Sequence, residues 1–186
     1  MKRIAGVFAA GALLAASSCT TGPAPADLVI QDYIDPNYQP EYVSVFAGAG
    51  GEAAIIGATR DGAGPEEIAA AIQLPAYFNP RTIRAATTAR TGPHLVLVIA
   101  PESGATPRKA CSGEARGGVA GPELRILGAF CSSAGRPVTE AMFVAAGSPV
   151  PSDPDFGRRL TSFMAKLTPP SNPDFQGSGG PFRRGG

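Results

Sequence analysis

Five large aliphatic residues follow one another at Leu95-Val96-Leu97-Val98-Ile99, and no other stretch after residue 19 is so uniformly apolar. A run of this length, bounded by Gly92-Pro93 and Pro101, reads as a strand buried on both faces. The segment 95–100 therefore predicts a central strand, and the rest of the fold must supply what covers it. The chain has 24 Gly and 19 Pro among its 186 residues. That density argues for many turns and long connections and against a helix bundle.

Other elements follow from local pattern. Residues 28–31 read as a short first strand, 42–47 as an alternating strand broken by Gly48, Gly50 and Gly51, and 53–59 as its hairpin partner. Gly64-Pro65-Glu66-Glu67 opens a helix, because proline suits the first turn and acids suit the positive end of the dipole; Ile68 and Ile72 share one face. Residues 81–89 read as extended. Residues 101–122 form a long loop containing Cys111, a length that is often functional. Residues 123–131 and 138–145 flank the turn Gly135-Arg136-Pro137 as a hairpin. Asp153 is the expected cap of a last helix with Pro154 at its first position. Phe156, Leu160, Phe163, Met164 and Leu167 recur on one face of it. The expected fold is a single α+β domain: one mainly antiparallel sheet of about five to seven strands with two helices on one face.

Lys2 and Arg3 precede an apolar run from Ile4 to Ala16, and Ala16-Ser17-Ser18 leads into Cys19. Thirteen residues are too few to span a bilayer, which takes about 20, so this is a leader that is removed. The pattern resembles the signal and lipobox of a bacterial lipoprotein, with Ala16 where that family usually has Leu. The resemblance implies cleavage before Cys19, acylation of Cys19 and the lipid bilayer as a partner. It also implies a place in the cell envelope, facing the periplasm, and Thr20 in place of Asp after the cysteine leans toward the outer membrane. The expected organisation is a signal peptide over 1–18, lipidated cysteine and linker over 19–27, one domain over 28–170 and a disordered Gly/Pro-rich tail over 171–186.

With Cys19 assigned to lipid, Cys111 and Cys131 remain as a pair that an oxidising compartment favours as a disulfide. Two free thiols are the alternative, while metal lacks the CxxC spacing or a neighbouring His. The second half resembles small lipoproteins of proteobacteria, a group with no assigned activity. The resembling pieces are 94–101, 124–131, 136–140 and the helix start Asp153-Pro154-Asp155-Phe156. This implies a single domain and transfers no site.

No catalytic constellation, cofactor motif or metal motif emerges. His94 is the lone histidine, read as a turn or surface residue, and no G-x-S-x-G elbow is present to serve it or Ser103. The cluster 48–51 lacks the spacing and lysine of a phosphate loop. Asp32, Asp35, Asn37 and Glu41 lack EF-hand spacing and read as a solvated acidic loop. Residues 27–67 are acidic and 81–136 basic, which neighbouring strands would pair side by side. The export signal excludes nucleic acid as the partner of Arg183 and Arg184. The expected function is a non-enzymatic envelope module that contacts other envelope proteins. The alternative is a module that binds a small ligand under the 101–122 loop.

Overall fold

The structure is a computed structural model and describes residues 26–86, 92–132 and 135–172, the side chains of Gln31 and Asp32 excepted. In chain order the elements are β1 Leu28–Ile34, α1 Glu41–Gly48, β2 Glu52–Ile56, α2 Pro65–Ala71, β3 Arg84–Ala86, β4 His94–Ile99, α3 Pro107–Cys111, β5 Glu123–Cys131, β6 Pro137–Ala146 and α4 Phe156–Leu167. The strands form one six-stranded sheet in the order β1-β6-β5-β4-β2-β3. Strand β4 has strands on both sides and all six of its residues are buried, as its apolar run requires.

The α+β class and the single sheet are as expected, but the sheet is mixed. β1, β6, β5 and β4 pair antiparallel, whereas β4–β2 and β2–β3 pair parallel. The parallel half follows from α2, which carries the chain from the end of β2 back to the start of β3, a connection that only a crossover supplies. Four helices are described rather than two, and they occupy both faces. α1, α2 and α4 pack on one face, here called inner, with Leu95, Leu97 and Ile99 of β4. α3 packs on the outer face with Val96, Val98, Leu127 and Ala129.

Residues 42–47, expected as a strand, are helix α1. The alternation Tyr42-Val43-Ser44-Val45-Phe46 also fits a helical stripe, and tertiary packing decides. Val43 and Phe46, three apart, are buried while Val45 is exposed. The Phe46 ring sits edge-on against Phe78 and Phe130, at centroid separations of 6.1 and 5.6 Å. The glycines at 48–51 therefore turn a helix into β2 rather than closing a hairpin. Gly50 and Gly51 take positive φ to do so.

α2 begins as its sequence suggests, with Glu67 accepting from the Gly64 N–H at 3.0 Å. α4 begins at Phe156, two residues later than a Pro154 start would put it. The Asp153 carboxylate accepts from Val150 N (2.9 Å), which closes a turn instead of a cap. Its five apolar residues are all buried, at about 1.5–3 kcal/mol each. Gly128 makes the notch beneath them, since a Cβ there would meet Leu167 and Phe163 at 2.5 Å. The far end of α4 is clamped. Thr139, Tyr77 and Tyr38 donate hydroxyl hydrogen bonds to the carbonyls of Leu167, Thr168 and Pro169, which no helical N–H can reach.

Candidate functional site

The residues that carry chemical potential do not converge. His94 is the first residue of β4 and is buried, against the expectation of a turn or surface position, because the strand starts one residue earlier than its aliphatic run. Its Nδ1 lies 2.8 Å from the Gly92 carbonyl oxygen, which makes Nδ1 the donating nitrogen. Nε2 is buried without a hydrogen-bond partner among the described residues. His94 stands opposite Cys131 in register, on the outer face. Cys111 and Cys131 stand in disulfide geometry with Cα atoms 5.6 Å apart, and both are buried. That link ties the last residue of α3 to the end of β5. The segment 101–122 is thus not structureless. Thr106 caps α3 by accepting from Lys109 N, and Pro107 fills the first helical position.

The space beneath this segment is filled. Ala110, Cys111 and Ala115 pack directly on Val96, Val98 and Leu127. Ligands of open α/β sheets bind at the carboxyl ends of parallel strands, here β2 and β4. That position is closed by main chain. A Cβ on Gly117 would meet the Ile99 and Ile56 carbonyl oxygens at 2.5 and 2.7 Å, so the 117–118 backbone lies directly over the strand ends.

Of the acidic loop, Asn37 and Glu41 are exposed as expected, but Asp35 is paired rather than solvated. Asp35 is buried at 4% exposure, accepts from Asn37 N at 2.8 Å and from Asn37 Nδ2 at 3.2 Å, and pairs with Arg136 at 3.1 Å. Its oxygens are taken up by the Asn37 and Arg136 donors, while Glu41 turns outward in the first turn of α1. No group of three His, Cys, Asp or Glu residues converges among the described residues. The acidic stretch 27–67 meets the basic stretch 81–136 at Asp35–Arg136 and Glu52–Arg84. Glu52 and Arg84 are register partners on β2 and β3, with their side chains 3.9 Å apart. Asp27 takes a two-pronged bond from Arg159, with Nε to Oδ2 at 2.8 Å. That bond raises the Arg159 pKa. It also brings Asp27, expected in the linker, into the domain. Ser171 and Asn172, expected in the tail, are likewise described, and Asn172 is buried.

The described residues form surface concavities. One, of about 460 Å³, is lined by Pro36, Tyr38, Pro40 and Asn172. Another, of about 740 Å³, lies between the end of α2 and the start of α4, with Arg81 and Arg158 on its walls. Burial, and then Tyr77, raises the Tyr38 pKa, and burial raises that of Tyr77. Asp61 is held low by the Thr59 hydroxyl, 2.7 Å away. None of these groups sits beside a paired nucleophile and base.

The surface feature that the sequence did not disclose is on β1. Leu28, Ile30 and Tyr33 are 53, 42 and 40% exposed. They are three of the six large apolar side chains exposed among the described residues. The alternation at Leu28 and Ile30 was visible in the sequence, but the bulge that adds Tyr33 was not. No family model, no curated protein and no solved structure matches the chain. Among the described residues no helix is long and apolar enough to cross a membrane. Cys19 and the segments 1–25 and 173–186 lie outside the described residues, as do 87–91 within the stretch expected to be extended.

Proposed function

We propose that this chain is a bacterial envelope lipoprotein, held on the membrane by acylated Cys19, whose domain acts as a non-enzymatic interaction or accessory module. The observation that carries the reading is the pairing of Cys111 with Cys131. It leaves Cys19 as the one cysteine without a thiol partner, and Cys19 stands directly after the charged, apolar and small-residue parts of an export signal. A disulfide in so small a domain suits the oxidising compartment that such a signal leads to. The closed strand-end crevice and the dispersed titratable groups favour contacts over catalysis. The packing of Ala110, Cys111 and Ala115 on the sheet under 101–122 favours this reading over the small-ligand alternative.

The test is substitution of Cys19 by Ala in the producing cell. The parent chain is expected to be cleaved before Cys19, to gain acyl mass and to sediment with membranes. The variant is expected to remain an uncleaved precursor or to be released. Unchanged maturation and membrane association in the variant would refute the reading. Site-specific crosslinking from exposed positions such as Val119 then tests the interaction role, and failure to capture any protein would reject it.

A further inference from the structure

The six large apolar residues exposed among the described residues are not scattered evenly. Leu28, Ile30 and Tyr33 lie on one edge strand. In register they stand opposite Val144, Met142 and Glu140 of β6. Residues 140, 142 and 144 alternate with Thr139, Ala141, Phe143 and Ala145, which are buried on the inner side. Leu28, Ile30 and Tyr33 therefore all belong to the outer face. They do so because the register shifts between Gln31 and Tyr33, which brings Tyr33 into line with Leu28 and Ile30. Val29 and Ile34 pack inward. Met142 and Val144, half-buried, continue the patch across β6, and the same row then reaches Arg125 of β5, which is exposed. α3 covers the outer face over β4, β5 and part of β6, where Met142 packs against its cluster. The patch beside it is left open.

The occupant follows from where the chain enters. Leu28 is nine residues after Cys19. Nine residues of chain span at most about 30–32 Å in any conformation. A domain on so short a tether presents the face at the root of β1 to whatever holds Cys19. We propose that the outer face of β1 and β6 is a membrane-contact surface, with Leu28 and Ile30 set into the lipid interface, Tyr33 at headgroup level and Arg125 toward anionic headgroups. This rests on the lipid-anchored reading above. Tyrosine is favoured at that level because its ring is apolar and its hydroxyl wet. The patch is too small to hold a free domain on a bilayer. A tether converts docking to an intramolecular step at a high local concentration, so weak contacts suffice.

The chain contains no tryptophan, which allows a single-site probe. The full acylated protein carrying Tyr33→Trp is placed in vesicles of phosphatidylethanolamine and phosphatidylglycerol with brominated acyl chains. Val45→Trp is the control, 54% exposed on α1 on the opposite side of the sheet. Tryptophan at 33 is expected to shift to the blue and to be quenched at least about three-fold more than tryptophan at 45, as interfacial burial requires. Adding Leu28→Ser and Ile30→Ser is expected to abolish the difference while the protein still floats with the vesicles. Equal, weak quenching at both sites in floating protein overturns the proposal but leaves the anchor intact. Quenching that survives the double substitution also overturns it, as does shielding that appears only when envelope proteins are added, which would assign the face to a protein partner. Protein without acyl mass that fails to float overturns the anchor reading itself.

Discussion

Opening the Cys111–Cys131 link should release one side of the molecule and leave the other standing. The bond closes a loop with a sequence separation of 20, worth about 3 kcal/mol in the chain-entropy treatment. α3 has only five residues, whereas an isolated helix needs about 12–15 to persist in water. The buried contribution of 105–116 is small, because Ala110 and Ala115 are the main apolar groups this segment brings besides the cysteine. Ordering each backbone residue costs about 1–2 kcal/mol, so without the crosslink little holds 105–116 against the sheet. The inner layer does not depend on it, since Phe46, Phe130, Phe143 and the α4 stripe form a separate cluster. The assay is urea and thermal unfolding of the chain from residue 19 with Cys19→Ala, compared oxidised, reduced, and as Cys111→Ala/Cys131→Ala. Reduction keeps every side-chain carbon and sulfur in place, so it separates loss of the link from loss of packing. Both perturbed forms should lose about 3 kcal/mol, roughly 10 °C for a domain of this size. Hydrogen exchange should accelerate first over 105–116 and not over α4. A reduced form within about 0.5 kcal/mol of the oxidised one, with the oxidised bond verified by mass, would refute this division of the core.

Gly157→Ala should destabilise by about 2 kcal/mol although alanine is the better helix former by about 1, because its Cβ would fall inside 3.0 Å of the Ala71 carbonyl oxygen, an obstacle made of backbone; a midpoint equal to or above the parent's would show that α2 and α4 can separate freely. Arg159→Ala should cost about 1–2 kcal/mol by leaving Asp27 without its two-pronged partner, and the loss should shrink at high salt; a salt-independent change would point to packing instead. Tyr38 and Tyr77 have folded pKa values raised above the ordinary 10.0, so their contribution is fully present below pH 10 and is lost as pH rises beyond it. Urea midpoints should therefore hold up to about pH 10 and fall above it, and substituting both by Phe should flatten that alkaline fall.

The elements that were legible in the sequence are those whose pattern admits one period. The β5–β6 hairpin was expected at 123–131 and 138–145 and is found at Glu123–Cys131 and Pro137–Ala146. The α4 stripe lies on one face as its spacing demanded. The start of α2 follows Pro65 and Glu67. What was not legible needed partners distant in sequence. Residues 42–47 fit both a two-residue and a helical period, and only Phe78 and Phe130 decide between them. α3 is one turn fixed by a cap and a distant cysteine. Parallel pairing of β2 with β3 and β4 leaves no local mark, because strand direction is set by the crossover. Asp35 looked solvated because its partner Arg136 is 101 residues away.

The two faces of the sheet explain why so conspicuous a strand as β4 carries no site. Its inner residues Leu95, Leu97 and Ile99 are covered by three helices, and its outer residues Val96 and Val98 by α3 under the disulfide. Its carboxyl end meets the backbone of Gly117, where any side chain would collide with the Ile99 carbonyl. The carboxyl ends of β2 and β4, where parallel strands usually offer main-chain groups to a ligand, lie against the 117–118 backbone instead. Burial on both sides gives β4 its stability and removes it from contact with anything outside. Uncovered apolar side chains lie instead at the opposite edge of the sheet, where β1 pairs only with β6 among the described strands. That edge also opens the described part of the chain, with Leu28 nine residues after Cys19, so an anchor at Cys19, as proposed, would hold this edge nearest the membrane.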